Sequence, residues 1–429
     1  MLAVCLVCGI TVLCMVLSVF FLPQIRIGRF QIGGYCFFAV LGALSLLLSG
    51  LLPLRDAAEG IFRDAAVNPV KILILFLSMT SFSVFLDEVG FFRRLASLAL
   101  QRAGNSQFRL FFLLYVTVAV LTVFTSNDII ILTFTPFICA FAKRAGIRPH
   151  PYLFAEFSAA NTWSMALMIG NPTNIYIAGF SGIAFFDYLR VMLVPTCAAG
   201  LVSFAVLFLL FRKSLGEPMH TDDNEVPPVS EKPLLIIGLV HLSLCILLVS
   251  LSGYIGLDMW LVSLCLAVSL FACVLVYRRL RRERPVILFR TLKRMPWEIV
   301  PFMLSMFILV TALEKRGVCT ALTAALSFAP TVPVYGAASF FVANLMNNIP
   351  MSVLFADLSV ANAPAAFASV VGSNLGACLT PVGALAGIMW SDILRRERVA
   401  FDLRDFVRVG AAVSLPALAA ALTALSLAF

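Results

Sequence analysis

The sequence predicts an all-α polytopic membrane protein with two inverted repeats, about ten transmembrane spans, two re-entrant hairpins and two interrupted helices. Three observations carry this expectation. Apolar residues make up 61% of the 429 residues and charged residues 12%, with a mean hydropathy of +1.01, which excludes a soluble globular chain. The apolar stretches fall into segments near the ~20 residues that a helix needs to cross a bilayer. Two polar tetrads, Thr125-Ser126-Asn127-Asp128 and Asn347-Asn348-Ile349-Pro350, each interrupt an apolar stretch.

In order, spans are expected over Leu2–Leu22, Ile32–Leu52, Val70–Leu86, Tyr152–Phe180, Phe186–Phe211, Leu234–Ser250, Ile255–Tyr277, Ile299–Leu313, Pro364–Trp390 and Val409–Ala428. Leu2–Leu22 lacks a basic leading region and a small-residue cleavage site, so it reads as a retained span. The tetrads lie between apolar arms of about 10 to 15 residues, too short for a comfortable crossing. Each pair of arms therefore reads as a hairpin that enters and leaves on one side, over 108–143 and 333–360. Irregular backbone at that depth survives only where protein covers it or it lines a watery cavity, so the two tips are expected to meet at a site.

Basic residues orient the chain. Arg278 to Arg294 carries Arg278, Arg279, Arg281, Arg282, Arg284, Arg290, Lys293 and Arg294 against Glu283 alone, and reads as cytoplasmic. Counting outward places Arg26/Arg29, Arg93/Arg94/Arg102, Lys143/Arg144/Arg148 and Arg395/Arg396/Arg398 inside and both termini outside. The loop Leu54 to Val67, with Arg55 and Arg63 against Asp56, Glu59 and Asp64, falls outside. The net charge of +9 belongs to the inner loops and not to nucleic-acid binding.

A polar cytoplasmic connector, 212–232, separates a first half, 1–211, from a second, 233–429. Leu77-Ser78-Met79 and Leu86-Asp87-Glu88-Val89-Gly90 align at one constant offset with Leu304-Ser305-Met306 and Leu313-Glu314-Lys315-Arg316-Gly317. Small gaps then bring Asn127 onto Asn348, Asn161 onto Asn374 and Gly170 onto Gly383. An odd number of crossings per half inverts the second copy, the arrangement that secondary transporters use for alternating access.

Each hairpin precedes a span broken by polar, Gly and Pro residues, expected over 152–180 and 364–390. The first holds Ser158-Ala159-Ala160-Asn161 and Gly170-Asn171-Pro172-Thr173-Asn174, the second Gly372-Ser373-Asn374 and Thr380-Pro381-Val382-Gly383. Proline withholds an amide hydrogen and glycine lets the backbone turn, so freed carbonyls and half-helix ends can hold a solute or ion. One such kink is usually structural. Two at matching places, each beside a polar tip, point to a transport site. Its expected solute-binding members are Ser126, Asn127, Asn161, Gly170, Asn171, Thr173, Asn347, Asn348, Ser373, Asn374, Thr380 and Gly383, with Pro172, Pro350 and Pro381 making the breaks.

Asp128 is the ionisable member, and a carboxyl inside a membrane is a functional candidate by default. It reads as the carrier of a coupling proton or cation, a role compatible with capping the arm that follows. The matching place holds Ile349, so coupling is expected in the first half. Glu156 reads equally as a relay acid or an interfacial salt bridge. Asp357 is expected near water, His241 in helix packing, and Asp87 and Glu88 at the membrane interface. No Lys or Arg lies between Phe111 and Ala142, Tyr152 and Phe180, or Tyr335 and Trp390, which leans the substrate toward a neutral hydroxylated solute, a weak acid or a cation. The 11 cysteines read as small apolar helix residues. With no Cys/His set of metal-site spacing, neither a resident metal nor a cofactor is expected.

The segment Ser126-Asn127-Asp128 through Leu132-Thr133-Phe134-Thr135-Pro136 resembles the arsenite efflux permeases. So do Asn171-Pro172-Thr173-Asn174-Ile175 with Tyr188 to Pro195, Asn347-Asn348-Ile349-Pro350, and Leu379-Thr380-Pro381-Val382-Gly383 through Trp390. The likeness runs from Leu75 to Trp390 and extends to the broad ion-transporter superfamily, with its sodium-coupled carboxylate symporters and sodium/proton antiporters. It departs at Gly170-Asn171-Pro172, where the permeases more often carry Ser-Asn, and at Asp128 and Leu375, where the carboxylate symporters carry Thr.

The resemblance implies a scaffold domain and a mobile transport domain moving by an elevator-like step, usually in a homodimer. It implies arsenite and antimonite exported against protons, and Asn127, Asp128, Asn348, Thr380 and Gly383 as site residues. The partners it implies are a small inorganic solute, a coupling proton with sodium as the alternative, and the lipid bilayer of the inner (plasma) membrane. An ATPase partner is compatible, since the chain itself has no phosphate-binding loop. Within the transporter class the rivals are a sodium-coupled importer of small carboxylates or inorganic anions and a sodium/proton antiporter. Outside it stand a passive channel, which needs no chemically unequal halves, and an intramembrane enzyme, for which neither His-Glu-x-x-His nor a Ser–His pairing is found.

Overall fold

Apolar runs punctuated by capping residues fold into helices in a computed structural model that describes residues 1–22, 24–28, 30–62, 68–219, 231–327, 330–359 and 362–429. The first half runs α1 (Leu2–Phe21), β1 (Gln24–Ile27), β2 (Phe30–Gly33), α2 (Gly34–Leu48), α3 (Leu54–Phe62), α4 (Pro69–Val89), α5 (Phe91–Ala103), α6 (Gln107–Phe124), α7 (Asn127–Ala145), α8 (His150–Trp163), α9 (Pro172–Phe180) and α10 (Phe185–Leu215). The second runs α11 (Lys232–Ile255), α12 (Met259–Leu280), α13 (Val286–Arg294), α14 (Ile299–Glu314), α15 (Val318–Leu326), α16 (Thr331–Met346), α17 (Asn348–Leu358), α18 (Ala363–Gly376), α19 (Leu385–Arg396) and α20 (Leu403–Ser426). Short 3-10 turns, Met168–Gly170 and Pro381–Gly383, precede α9 and α19. Arg29, Arg63, Asp64, Val67, Val360 and residues 220–230 of the connector lie outside the described residues.

Among the described residues seven helical segments are long and apolar enough to cross a membrane, and several of the expected spans are shorter apolar helices. Four further differences from the expected pattern have identifiable causes. Gln24–Ile27 and Phe30–Gly33 pair antiparallel around Gly28, whose φ of +61° favours glycine, so the segment expected as a plain loop is a two-stranded hairpin. The charged stretches near Arg55, Arg93 and Arg290 are the strongly amphipathic helices α3, α5 and α13, their polar residues masking a helical period, and the uncharged stretch around Thr323 is the short helix α15. The arms of the first hairpin are 18 and 19 residues long because α6 starts at its Ser106 cap and α7 runs through Lys143 and Arg144 to Gly146. They are therefore near crossing length. Finally, α10 continues past residue 211 to Leu215, which shortens the connector.

Apart from the β1–β2 hairpin, the described helices of the two halves come in the same order. Gly90 (φ +90°) turns α4 into α5 just as Gly317 (φ +73°) turns α14 into α15. The contacts cross between halves in reciprocal fashion: α2 packs on α14 and α12 on α4, while α9 packs on α17 and α19 on α7. The arms α6 and α7 splay, with α5 and α8 packed against both. The closing helices α10 and α20 lie along each other. Within its most apolar stretch α4 is 78% buried and α12 only 28%, which places α4 centrally and leaves α12 at the rim. On α11, Ile236, Val240, Leu244 and Leu247 form an exposed stripe at helical spacing, suited to lipid.

Candidate functional site

Hydrogen bonds link four half-helix junctions into one chain: the tip Thr125–Asn127, the break 164–171, the break 377–384 and the tip Asn347–Asn348. Proline does not sever the helices here. Pro172 occupies the first position of α9 and Pro350 the first turn of α17, where no intrahelical carbonyl waits for an amide hydrogen. Pro381 opens the second 3-10 turn. Pro350 therefore starts a helix where the sequence suggested a break. The breaks instead follow Trp163 and Gly376, where α8 and α18 end.

Asn374 ties the two breaks together. Its Oδ1 accepts from Ser164 Oγ (2.9 Å) and Asn171 Nδ2 (3.0 Å), and its Nδ2 donates to Asn174 Oδ1 (2.7 Å) and the Val370 carbonyl (2.8 Å). Asn174 Nδ2 in turn donates to the Ser164 and Leu167 carbonyls at 2.8 and 3.2 Å. Asn171 also caps α9 by accepting from Thr173 N at 3.2 Å, and Thr173 Oγ1 lies 3.5 Å from Asn174 Oδ1. On the other side, Asn347 caps α17 through Ile349 N (3.2 Å) and donates to the Val382 carbonyl (3.0 Å). Thr380 Oγ1 donates to Asn344 Oδ1 (2.7 Å), and Asn344 Nδ2 reaches the Gly376 carbonyl (2.9 Å).

A second group of side chains keeps free hydrogen-bonding capacity. Asn161 Nδ2 donates to the Phe157 carbonyl at 2.8 Å, which turns its Oδ1 toward Asn127. Asn127 Nδ2 donates to that oxygen at 3.1 Å, which fixes the amide and leaves Asn127 Oδ1 buried with no partner. Asn348 Oδ1, Ser126 Oγ and Ser373 Oγ are likewise buried and unpartnered, as are Ser158 Oγ and Thr162 Oγ1 on α8. Buried polar atoms without partners are costly, so a cluster of them marks a place built to receive hydrogen bonds from elsewhere. Asp128, half-buried in the first turn of α7, forms no ion pair among the described residues. It faces Tyr35 of α2, whose hydroxyl bonds Glu298.

The glycines of the breaks allow close approach. A methyl on Gly170 would collide with the Ser164 carbonyl, and one on Gly383 would lie 2.8 Å from Asn344 Oδ1 and from the Gly376 carbonyl.

All the expected site residues thus lie on these junctions, on the ends of α8 and α18 that lead to them, or in the first turns of α7, α9 and α17 that follow them. Sequence reading missed Ser164 and Asn344. Asn344 left a signal, as an amide in the apolar run of α16 three residues before Asn347. Outside the cluster, Glu156 is not an interfacial salt bridge. It is fully buried, with Thr135 Oγ1 at 2.8 and 3.1 Å from its two oxygens and no cation paired to it among the described residues. Asp87 and Glu88 pair with Arg294 of α13 at 2.7 Å each, and Asp87 also accepts from Thr133 of α7 at 2.9 Å. Asp357 bonds Cys319, and His241 bridges α11 to Ser269 of α12.

The chain matches the Citrate transporter family over residues 34–370. It is 28% identical over 409 residues to an arsenical pump membrane protein of Escherichia coli, a match spanning 91% of this chain and 92% of that one. The Yersinia enterocolitica protein of the same name is 28% identical over 373 residues, 82% and 85% of the two chains. A 46 kDa membrane protein of Mycobacterium leprae is 28% identical over 402 residues, 86% and 89%. Among solved structures, the YdaH transporter of Alcanivorax borkumensis aligns with a TM-score of 0.55 over 99% of this chain and 97% of that one; at 15% identity this is a likeness of fold. The likeness to arsenite efflux permeases, first visible in a few motifs, holds across most of the chain. With its apolar helices, its buried polar junctions and these relatives, the chain is a multi-pass membrane transporter and belongs to the Citrate transporter (CitMHS) family.

Proposed function

We propose that the protein exports trivalent metalloid hydroxides of the arsenite and antimonite type in exchange for protons. The carrying observation is the set of unpartnered buried atoms at the junctions, Asn127 Oδ1 above all, whose amide orientation is fixed by Asn161. A carbonyl oxygen accepts hydrogen bonds, and a neutral trihydroxylated solute supplies donors. A carboxylate is acceptor-only and would need cations or amide hydrogens here. No Lys or Arg occurs in the segments that build the site, and Asp128 would repel an anion. The relatives named as arsenical pump membrane proteins favour the same solute.

Asp128 carries the exchanged proton in this reading, because it is the carboxyl beside the unpartnered oxygens and has no fixed counter-ion. Solute and proton then compete for one site, which is the logic of an antiporter. The two halves act as inverted repeats. The block holding both breaks moves past α2, α4, α12 and α14 in an elevator-like step, in the inner membrane with the Arg278–Arg294 segment on the cytoplasmic side.

The family description favours a second reading, transport of a citrate-like carboxylate, with sodium as the coupling ion of the rival importer expected from the sequence. Purified protein in liposomes loaded with a pH-sensitive dye separates the two. Arsenite, antimonite, sodium and citrate are added in turn to wild type and Asp128→Asn. Proton movement evoked by the metalloids and lost in the variant is expected. A sodium-dependent response to citrate with silence toward metalloids would refute the export reading.

A further inference from the structure

A second carboxyl lies deep in the same block. Glu156 of α8 has no exposure to solvent, and its oxygens lie 2.8 and 3.1 Å from Thr135 Oγ1 on α7. The Trp390 indole of α19 lies beside the same carboxyl, itself flanked by Phe154 and Phe157 from the same stretch of α8 as Glu156. The other elements packed on α8 are α6, α10, α18 and, through Phe406 against Phe154 and Phe157, α20, and among the described residues none of them brings a charged group to the carboxyl. The titratable neighbours are Cys139 on α7, with Glu397 beyond it at the end of α19, and Tyr152 on α8, whose hydroxyl is spent on Gln107 at 2.8 Å.

A lone hydroxyl cannot balance an ionised carboxylate cut off from water, so the cage holds the acid form in this state. A purely structural role would be served by an amide or an apolar residue without that constraint. The matching places in the second half, counted from Asn348, Asn374 and Gly383, are Ala356 for Thr135, Ser369 for Glu156 and Ile177 of the first half for Trp390, so the pair exists on one side only. Asp128 and its counterpart Ile349 show the same inequality.

We propose that Glu156 is a second proton carrier, so that two protons rather than one are exchanged for each solute. This rests on the proton-exchange reading of the site above. The step is a simple ionisation: when the block reaches the side where water enters, the Glu156 O–H bond breaks, its electron pair stays on the carboxylate and the proton passes to water. On the opposite side a hydronium ion restores the bond, and no oxidation state changes.

The test measures initial proton flux by dye and antimony flux by mass spectrometry in the same liposomes, with antimonite as the probe, for wild type and Glu156→Gln. The expected result is a twofold fall in protons moved per antimony, with antimony flux still present. An unchanged ratio overturns this proposal and leaves the Asp128 exchange standing. Absence of antimonite-evoked proton flux in the wild type overturns the reading beneath it as well. Where Glu156→Gln is not recovered as monodisperse protein, Thr135→Val is used, which removes the hydroxyl and keeps the carboxyl. A transport pH profile displaced along the pH axis at an unchanged ratio supports the proposal, and a superimposable profile overturns it.

Discussion

Asn374→Ala should loosen the protein without touching any atom left free at the junctions. The asparagine makes four hydrogen bonds, three of them to the break of the first half. Side-chain hydrogen bonds between membrane helices average about 0.6 kcal/mol and reach about 1.7. Losing all four therefore costs roughly 2.5 kcal/mol, rising toward about 7 where the stranded Ser164, Asn171 and Asn174 groups find no other partner. Asn348→Ala provides the contrast, because Asn348 Oδ1 has no partner to lose. It should change stability by less than about 1 kcal/mol while removing an acceptor that the solute needs. The assay pairs thermal unfolding of detergent-purified protein with antimonite flux in liposomes. Asn374→Ala should melt several degrees lower, and Asn348→Ala should melt like wild type yet lose transport. If Asn348→Ala were the less stable of the two, or Asn374→Ala melted unchanged, the division into saturated and free amides would be wrong.

Other substitutions probe separate parts of the structure. Gly383→Ala places a methyl 2.8 Å from Asn344 Oδ1 and the Gly376 carbonyl, so the second break must shift and antimonite flux should fall at least about tenfold. Pro350→Ala should alter the melting temperature by the equivalent of less than about 1 kcal/mol, since the ring sits in the first turn of α17 where no amide hydrogen is required. Arg294 is 43% exposed and Asp87 7%, so their pair falls between surface and buried cases, and a double-mutant cycle of Arg294→Met with Asp87→Asn should return a coupling of about 1–3 kcal/mol.

Much of the site was legible because polar residues inside an apolar run have few innocent explanations. The tetrads at Thr125 and Asn347 and the Gly/Pro segments at Gly170 and Thr380 locate all four junctions. Which amides are spent and which are free was not legible, because that depends on partners far away in the chain, 200 residues in the case of Asn174 and Asn374. Nor did the prolines announce whether they end helices or begin them, since Pro350 follows Asn347 closely enough to serve as part of an N-terminus. The arms of the first hairpin looked short because Arg109, Lys143 and Arg144 seemed to bound them. Long basic side chains can carry their charge to the surface while their backbone stays helical. Glu156 read equally as a relay acid or an interfacial salt bridge for the same reason of sequence distance, since Thr135 and Trp390 come from other helices.

The Asn374 stitch bears on what kinds of motion the chain can use. A rocking mechanism opens a cleft between its two lobes first on one face and then on the other. Here such a cleft would have to tear Asn374 from Ser164, Asn171 and Asn174, stranding buried polar groups on both walls at every cycle. Carrying the stitched junctions along as one cargo block leaves those bonds intact and confines sliding to the surfaces between the block and its surroundings. A cross-link between α9 and α18 placed beside the stitch, leaving Asn174 and Asn374 in place, should therefore be harmless to turnover in a carrier that translates its cargo block and fatal in one that rocks.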